Sequence, residues 1–297
     1  MKLSVVVSTL NDRERLCDSL DALTADLSGD AEVLVVNGPS TDGTTGAVRD
    51  RDDVDVLVEI SERSASVSRN AGLDHADGDV VAFLADGSVV TSGWAAGIRT
   101  AIDAGADVVT GPVTGRSHPG DSNDGITVAG RSVTPVPETN VAFTVDVVET
   151  LDGFDEYLDH GSAVDCAHRI AGAGFDVTWS GDMTTRWNGD PSDEADEWGV
   201  RYRSIGYRLA KNYGLRPSVL GRTVGRAALD GFEDARCVLR GETALTRWIR
   251  NGSDVTTNAL YGIRDGLRAR HDEDRRRLNP NGVSSRHDRA VQVYDRR

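Results

Sequence analysis

The chain has 297 residues, of which 38% are hydrophobic and 27% charged, so a substantial core can be buried and wholesale disorder is excluded. Acids outnumber bases 48 to 33, for a net charge of −15, and only Lys2 and Lys211 are lysines. That balance suits solubility at high salt, where screening lowers the cost of self-repulsion, and no apolar run approaches the roughly 20 residues that span a bilayer.

Taken in chain order, residues 3–8 read as a strand and 12–27 as an amphipathic helix with Leu16, Leu20, Leu23 and Leu27 on one stripe. Residues 32–37 form a second predicted strand that opens through Gly38-Pro39-Ser40 into a helix start. Further strands are expected at 54–59, 79–85 and 106–111, separated by helices at 64–75 and 94–104. Residues 111–130 dissolve into a long loop, 140–151 and 162–173 return as helices, and 177–180 is a last strand. An acidic linker follows at 190–197, and beyond Trp198 the chain reads as arginine-rich helices, with Arg222/Arg226 and Arg236/Arg240 each sharing a helix face. Strands alternating with helices imply an α/β fold with a mostly parallel sheet flanked by helices, over residues 1–198, followed by a helical extension over 199–297. Loops 111–130 and 182–197 are candidate lids over a site at the carboxyl ends of the strands.

Charge divides the chain. Residues 201–297 hold 21 Arg+Lys against 11 Asp+Glu, whereas 1–200 hold 12 bases against 37 acids. Such a tail is expected to face something anionic: a membrane surface, a phosphorylated lipid, or the acidic body itself. Apolar residues lying between the arginines, from Val219, Val224 and Phe232 to Leu245, Trp248 and Ile249, suit an interfacial helix making peripheral contact with anionic membrane. Packing on the acidic body is the alternative. Nucleic acid is not an expected partner, because few aromatics interleave with the basic residues. Residues 1–7 turn polar at Ser8, too early for a secretion signal, and Cys17, Cys166 and Cys237 form neither a CxxC nor an even set. A cytoplasmic location, possessing at most a peripheral membrane association, is therefore expected.

Three segments carry candidate chemistry. VVNGPSTDGT at 35–44 is a strand running into a helix, whose unpaired N–H groups and small residues suit an anionic ligand; an ordinary turn capped by Ser40 explains it equally well. RNAGL at 69–73 places Arg69 where a guanidinium can grip phosphate, or simply be solvated. FLADGS at 83–88 ends a buried strand in Asp86, a carboxylate suited to a divalent metal bridging two phosphates, or to starting a turn.

In order and spacing, VVVSTLNDR at 5–13, VVNGPSTDGT at 35–44, RNAGL at 69–73 and DVVAFLADGS at 79–88 resemble the nucleotide-sugar half of glycosyltransferase family 2, and the similarity runs to about residue 190 through 140–143, 153–156 and 161–169. The resemblance implies a GT-A fold, a nucleotide-sugar donor and transfer with inversion. It would lay Ser8, Thr9 and Asn11 against base and ribose and put Asn37 where the family has a base-reading aspartate; positive charge for the leaving diphosphate would come from a metal at Asp86 or from an arginine such as Arg69. Asp86 would be the middle acid of the family's metal-binding triplet, with Mn²⁺ or Mg²⁺ as cofactor; Ala85 and Gly87 replace its neighbours. The family's base lies in a Glu-Asp pair that Ser162-Ala163 replace here, leaving Asp165 as the candidate catalytic base and Asp155 and Glu156 in reserve. Ser162-x-x-Asp165 also reads as a capping box, with Asp165 paired to Arg169, which would make it a weaker base. His168 is expected to be solvated or hydrogen-bonded, and Trp179 and Trp187 to pack on the sheet or stack on a sugar. Segment 161–169, the acidic composition and NPNGVSSR at 279–286 resemble haloarchaeal members that build surface-protein glycans, so a lipid-linked glycan on dolichol phosphate is the implied acceptor in protein N-glycosylation. Two rivals share the architecture: a degenerate sugar-nucleotide-binding scaffold, and a sugar nucleotidyltransferase.

Overall fold

The computed structural model describes residues 1–115, 125–189, 198–217, 245–271 and 279–297. Parts of both candidate lids, at 116–124 and 190–197, lie outside the described residues, as do Cys237 and the paired arginines of 222–240.

The chain begins β1 (Leu3–Thr9), α1 (Arg13–Asp26), β2 (Ala31–Asn37), α2 (Thr44–Arg49), β3 (Val56–Ile60), α3 (Ala65–Leu73), β4 (Val80–Ala85), β5 (Ser88–Val90), α4 (Trp94–Asp103), β6 (Val108–Thr110) and β7 (Val113–Thr114). A small hairpin, β8 (Ile126–Val128) and β9 (Arg131–Val133), precedes β10 (Asn140–Thr144) and α5 (Val145–Leu151). There follow α6 (Ser162–Ala173), β11 (Val177–Trp179), β12 (Thr185–Trp187), α7 (Trp198–Tyr213), α8 (Leu245–His271) and β13 (Ala290–Asp295).

Eight strands build the main sheet in the order β11-β6-β10-β4-β1-β2-β3-β13. Strands β4, β1, β2 and β3 are mutually parallel, while β10 and β13 run antiparallel to their neighbours. Because the pleat alternates, β1 sends Leu3, Val5 and Val7 to one face and Val6 to the other, and both faces are covered. On the first face, Leu16, Leu20 and Leu23 of α1 and Trp94 and Ile98 of α4 fill the core. On the second, Val67 and Ala71 of α3 join Phe83, Phe143 and Phe154, which meet edge to face. Gly72 allows this approach: a Cβ there would come within 2.4 Å of Val6 Cγ1. The GT-A-type reading, a mostly parallel sheet between helices, is the architecture observed.

Three expectations need correction. Residues 140–151 are not one helix: Asn140–Thr144 is a strand buried between β4 and β6, and only Val145–Leu151 is helical. Tertiary burial overrides local pattern here, and Asn140 completes it by accepting the Trp94 indole N–H at 2.9 Å. The segment after Trp198 is not helical throughout, since β13 pairs with β3 at the sheet edge. Finally, Ser162 does not cap α6; the cap is Gly161, at φ +70°, and the Ser162 hydroxyl is used elsewhere.

Chain direction sets the site. From β1 the chain moves outward through β2 and β3, then crosses back to place β4 on the other side of β1. A crevice opens where such a sheet switches direction, beyond the carboxyl ends of the strands concerned. Here those ends are Thr9 and Ala85.

Candidate active site

At that edge the backbone after β4 continues along β1, the Asp86 N–H donating to the Ser8 carbonyl at 3.1 Å. The Asp86 carboxylate accepts the Leu10 N–H at 3.4 Å, and Ser19 donates to the Asp86 carbonyl at 2.6 Å. Burial, reinforced by the nearby Asp12 charge, pushes the Asp86 carboxyl up to about 6. Thr9, on the same edge, is buried, and its side-chain hydrogen bond to Asp86 partly offsets that rise. The Trp187 indole lies over the following turn, where a Cβ on Gly87 would sit 3.3 Å from the ring.

One strand over, Asn37 is buried at the end of β2 and fully engaged. Its amide donates to Thr45 Oγ1 at 3.0 Å, and its carbonyl oxygen accepts Ser40 Oγ at 2.7 Å. Thr45 in turn donates to Glu59 at 2.6 Å. The Asn11 N–H donates to Ser40 Oγ at 2.8 Å, and the Asn11 side chain accepts the Thr41 N–H at 2.7 Å. Asn11 holds φ +55°, a conformation asparagine tolerates better than most residues. These bonds fasten the loop after β1 to the loop after β2, so Ser8, Thr9, Asn11, Asn37 and Asp86 share one rim.

Arg69 and Asp165 make their contacts around α6, while Ser68, the residue before Arg69, donates to Ser8 Oγ at 2.9 Å. Arg69 is 6% exposed on α3 and reaches toward α6, donating to Ser162 Oγ at 3.0 Å and pairing with Glu138 at 3.2 Å. Asp165 has no exposed surface. Its Oδ2 accepts Arg169 Nε and Lys211 Nζ, each at 2.8 Å, and its Oδ1 accepts the Asn212 amide at 2.8 Å. Desolvation opposes its charge, but Lys211 and Arg169 outweigh it and hold the carboxyl well below the usual carboxylate range. The expected i,i+4 pairing with Arg169 is thus present, in a setting closed to solvent.

The reserves Asp155 and Glu156 join the same network. Asp155 accepts Lys211 Nζ at 2.5 Å, the Tyr207 hydroxyl at 2.9 Å and the Asn281 amide at 2.9 Å. Glu156 accepts Asn70 at 2.7 Å and pairs with Arg286 and Arg289. Asn70 also exchanges bonds with the Phe154 backbone, and Arg169 donates to the carbonyls of Leu151 and Gly153. This junction of α3, α6, α7 and the segment around 279–289 brings together RNAGL, residues 153–156 and NPNGVSSR, segments distant in the chain whose meeting no local pattern signals. His168 is buried beside Tyr213, its Nδ1 2.7 Å from the hydroxyl, and burial lowers its pKa to about 4, so it is neutral.

Among the described residues no group of three or more His, Cys, Asp or Glu side chains is disposed to hold a metal, and no helix is long and apolar enough to cross a membrane. The expected metal ligand, Asp86, stands with Asp12 as its charged neighbour.

Residues 4–136 match glycosyl transferase family 2. The resemblance carried by the motifs therefore holds. Over 202 residues, 61% of this chain, the sequence is 30% identical to glycosyltransferase AglE of Haloferax volcanii; the match spans 65% of that protein, just under two thirds of its length. Among solved structures, Staphylococcus aureus TarS 1–349 in complex with UDP-GlcNAc superposes with a TM-score of 0.63 at 18% identity, covering 91% of this chain and 89% of that one. The mannosyltransferase PcManGT from Pyrobaculum calidifontis, in complex with GDP-Man and Mn²⁺, gives a TM-score of 0.54 at 18% identity over 92% and 88%. At these identities the solved structures show the fold alone, that of GT-A glycosyltransferases.

Proposed function

We propose that the chain is an inverting glycosyltransferase that takes a sugar from a nucleoside-diphosphate donor and adds it to a growing lipid-linked glycan in protein N-glycosylation. The observation that carries this reading is the single rim at the β1/β4 switch, where Ser8, Thr9, Asn11 and Asp86 converge with Asn37 beside them. The neighbours' complexes with UDP-GlcNAc and with GDP-Man and Mn²⁺ support a nucleotide-sugar donor. The relationship to AglE supports a role in haloarchaeal glycosylation.

Base and ribose would lie along Ser8–Asn11 and Asn37, and the diphosphate would approach Asp86. A divalent metal fits there: a carboxylate held at about 6 by burial and a like charge is relieved by a cation. Asp86, with Asp12 behind it, would hold Mn²⁺ or Mg²⁺, the donor phosphates and water completing the coordination. Such an ion would offset charge developing on the leaving diphosphate. Arg69 faces Ser162 and Glu138, so its charge acts on the acceptor side. We assign Asp165 to positioning: closed from solvent and held by two cations, it anchors Lys211 and thereby α7 to α6.

Calorimetric titration in molar KCl with UDP, GDP and their sugars, with and without Mn²⁺, tests the reading. Metal-dependent binding of one nucleoside diphosphate is expected. Absence of binding to all of them by folded protein would overturn the donor site and favour a scaffold without chemistry.

A further inference from the structure

The transfer proposed above needs a group to take the acceptor's proton, and the carboxylates nearest the start of α6 are mostly committed. Asp155 and Asp165 have no exposed surface and share Lys211. Glu156 is 10% exposed and holds two arginines. Asp159 and Glu138 keep exposed surface, and of these Glu138, with its side chain 36% exposed, is tied through Arg69 to Ser162, the first residue of α6.

Its position is fixed from two sides. Arg69 Nη2 donates to Glu138 Oε2 at 3.2 Å and to the Glu138 carbonyl at 3.3 Å, while Nη1 of the same guanidinium donates to Ser162 Oγ at 3.0 Å. One planar fork thus holds the carboxylate beside the first residue of α6. The fork cannot swing freely, because Arg69 is buried and packs over the Phe154 ring at 5.2 Å. From the other side, β10 runs antiparallel to β4 with Asn140 opposite Leu84. Glu138 and Thr139 form the turn that leads into β10. Ser88 Oγ donates to the Thr139 carbonyl at 3.3 Å, which keeps the strands together past the last ladder pair. Glu138 therefore lies in the turn beside the carboxyl end of β4, joined through Arg69 to the start of α6.

We propose that Glu138 is the general base of the transfer, an assignment that rests on the glycosyltransferase reading. An acceptor hydroxyl oxygen forms its bond to the anomeric carbon as the bond from that carbon to the diphosphate oxygen breaks. The bonding pair leaves with the nucleoside diphosphate, and the hydroxyl proton passes to Glu138. Arg69 aims the carboxylate, and Ser162 fixes Arg69.

The test uses the full chain in molar KCl, with UDP-glucose, UDP-N-acetylglucosamine and GDP-mannose as donors and water as acceptor. Release of UDP or GDP is followed, and binding of the free nucleoside diphosphate is measured in parallel. Glu138→Gln is expected to slow release by about 10²- to 10³-fold with nucleotide affinity unchanged. Azide has no proton to lose, so adding it to Glu138→Ala is expected to restore donor cleavage by about tenfold or more, giving the glycosyl azide. Asp159→Asn, at an exposed carboxylate just before α6, is the control expected to remain active. Glu138→Gln releasing product within about threefold of the wild type, or azide leaving Glu138→Ala unchanged, would overturn the assignment while leaving the transferase reading intact. A wild type that neither binds nor cleaves any donor would overturn both.

Discussion

Asp165→Asn separates a structural carboxylate from a catalytic one. In the native protein Asp165 Oδ2 receives Arg169 Nε and Lys211 Nζ at 2.8 Å each, and Oδ1 receives the Asn212 amide. The substitution leaves an amide that can offer one oxygen, turns its own N–H groups toward donors, and withdraws the negative charge from two buried cations. Breaking a buried pair by removing one partner costs about 3–5 kcal/mol. For a chain of 297 residues the unfolding entropy is about 0.6 kcal/mol/K, so the melting temperature should fall by about 5–8 °C. Thermal unfolding followed by circular dichroism in molar KCl measures this, and the salt should not rescue it, because screening barely reaches buried pairs. Lys211→Met, alone and combined with Asp165→Asn, closes a double-mutant cycle whose coupling should be about 1–3 kcal/mol. A variant that melts within about 1 °C of the wild type yet has lost transfer would refute the reasoning and return the base to Asp165.

Three further outcomes are expected. Glu32 is buried, and although burial opposes its charge, bonds from Lys2, Ser4, the Asp77 N–H and Arg297 lower its pKa to about 2 from 4.5; the unfolded chain thus binds the extra proton between those values, and about 3 kcal/mol of stability present above pH 4.5 should be lost as pH falls toward 2. Glu32→Gln should remove that acid limb from melting curves measured across the same range; an unchanged limb would show that Glu32 does not supply it. Asn37→Asp should destabilise the protein by about 1–3 kcal/mol in urea titration, because the Thr45 hydroxyl proton already goes to Glu59 and a second acceptor would be left unmatched. Asp86→Asn should abolish any effect of Mn²⁺ on nucleotide binding while leaving the melting temperature at pH 7 equal or higher, since it removes a charge that burial disfavours; a large fall in melting temperature would make Asp86 structural instead.

What was legible in the sequence was the part written in local pattern. Alternating β-branched runs and leucine stripes placed the longer strands and helices of residues 3–111 within a few positions, though not the three-residue β5, and the strand-end loops pointed to the carboxyl edge of the sheet. What escaped was set by partners distant in the chain. Asn140–Thr144 carries apolar residues compatible with either period, and only burial between β4 and β6 makes it a strand. Ser162-x-x-Asp165 has the spacing of a capping box, but Arg69, 93 residues away, takes the Ser162 hydroxyl, and Lys211 takes Asp165. Glu138 sits in a stretch without periodicity, and nothing in its neighbours announces a site; its significance comes from the Arg69 fork, which sequence assigned to phosphate.

The uneven charge of the chain has a physical account among the described residues. Arg286 pairs with Glu62 and Glu156, Arg289 with Asp74 and Glu156, Arg297 with Glu32 and Asp77, and Lys211 with Asp155 and Asp165. Each pair joins a base after residue 200 to an acid before it. The basic tail is thus, in these places, the counter-charge of the acidic body, and several of the pairs are buried enough to persist in salt that would screen surface bridges. Arg289 shows why arginine suits this work: fully buried, it serves Asp74, Glu156 and the Gly282 carbonyl with one planar group, which a lysine could not do. The same pairs fix Asn281 and Tyr207 on Asp155 and bring β13 to the sheet edge, so the end of the chain braces the loop that carries Phe154, on which Arg69 rests. If Arg69 aims the base, then the tail reaches the chemistry through that brace, whether or not its remaining arginines also meet a membrane.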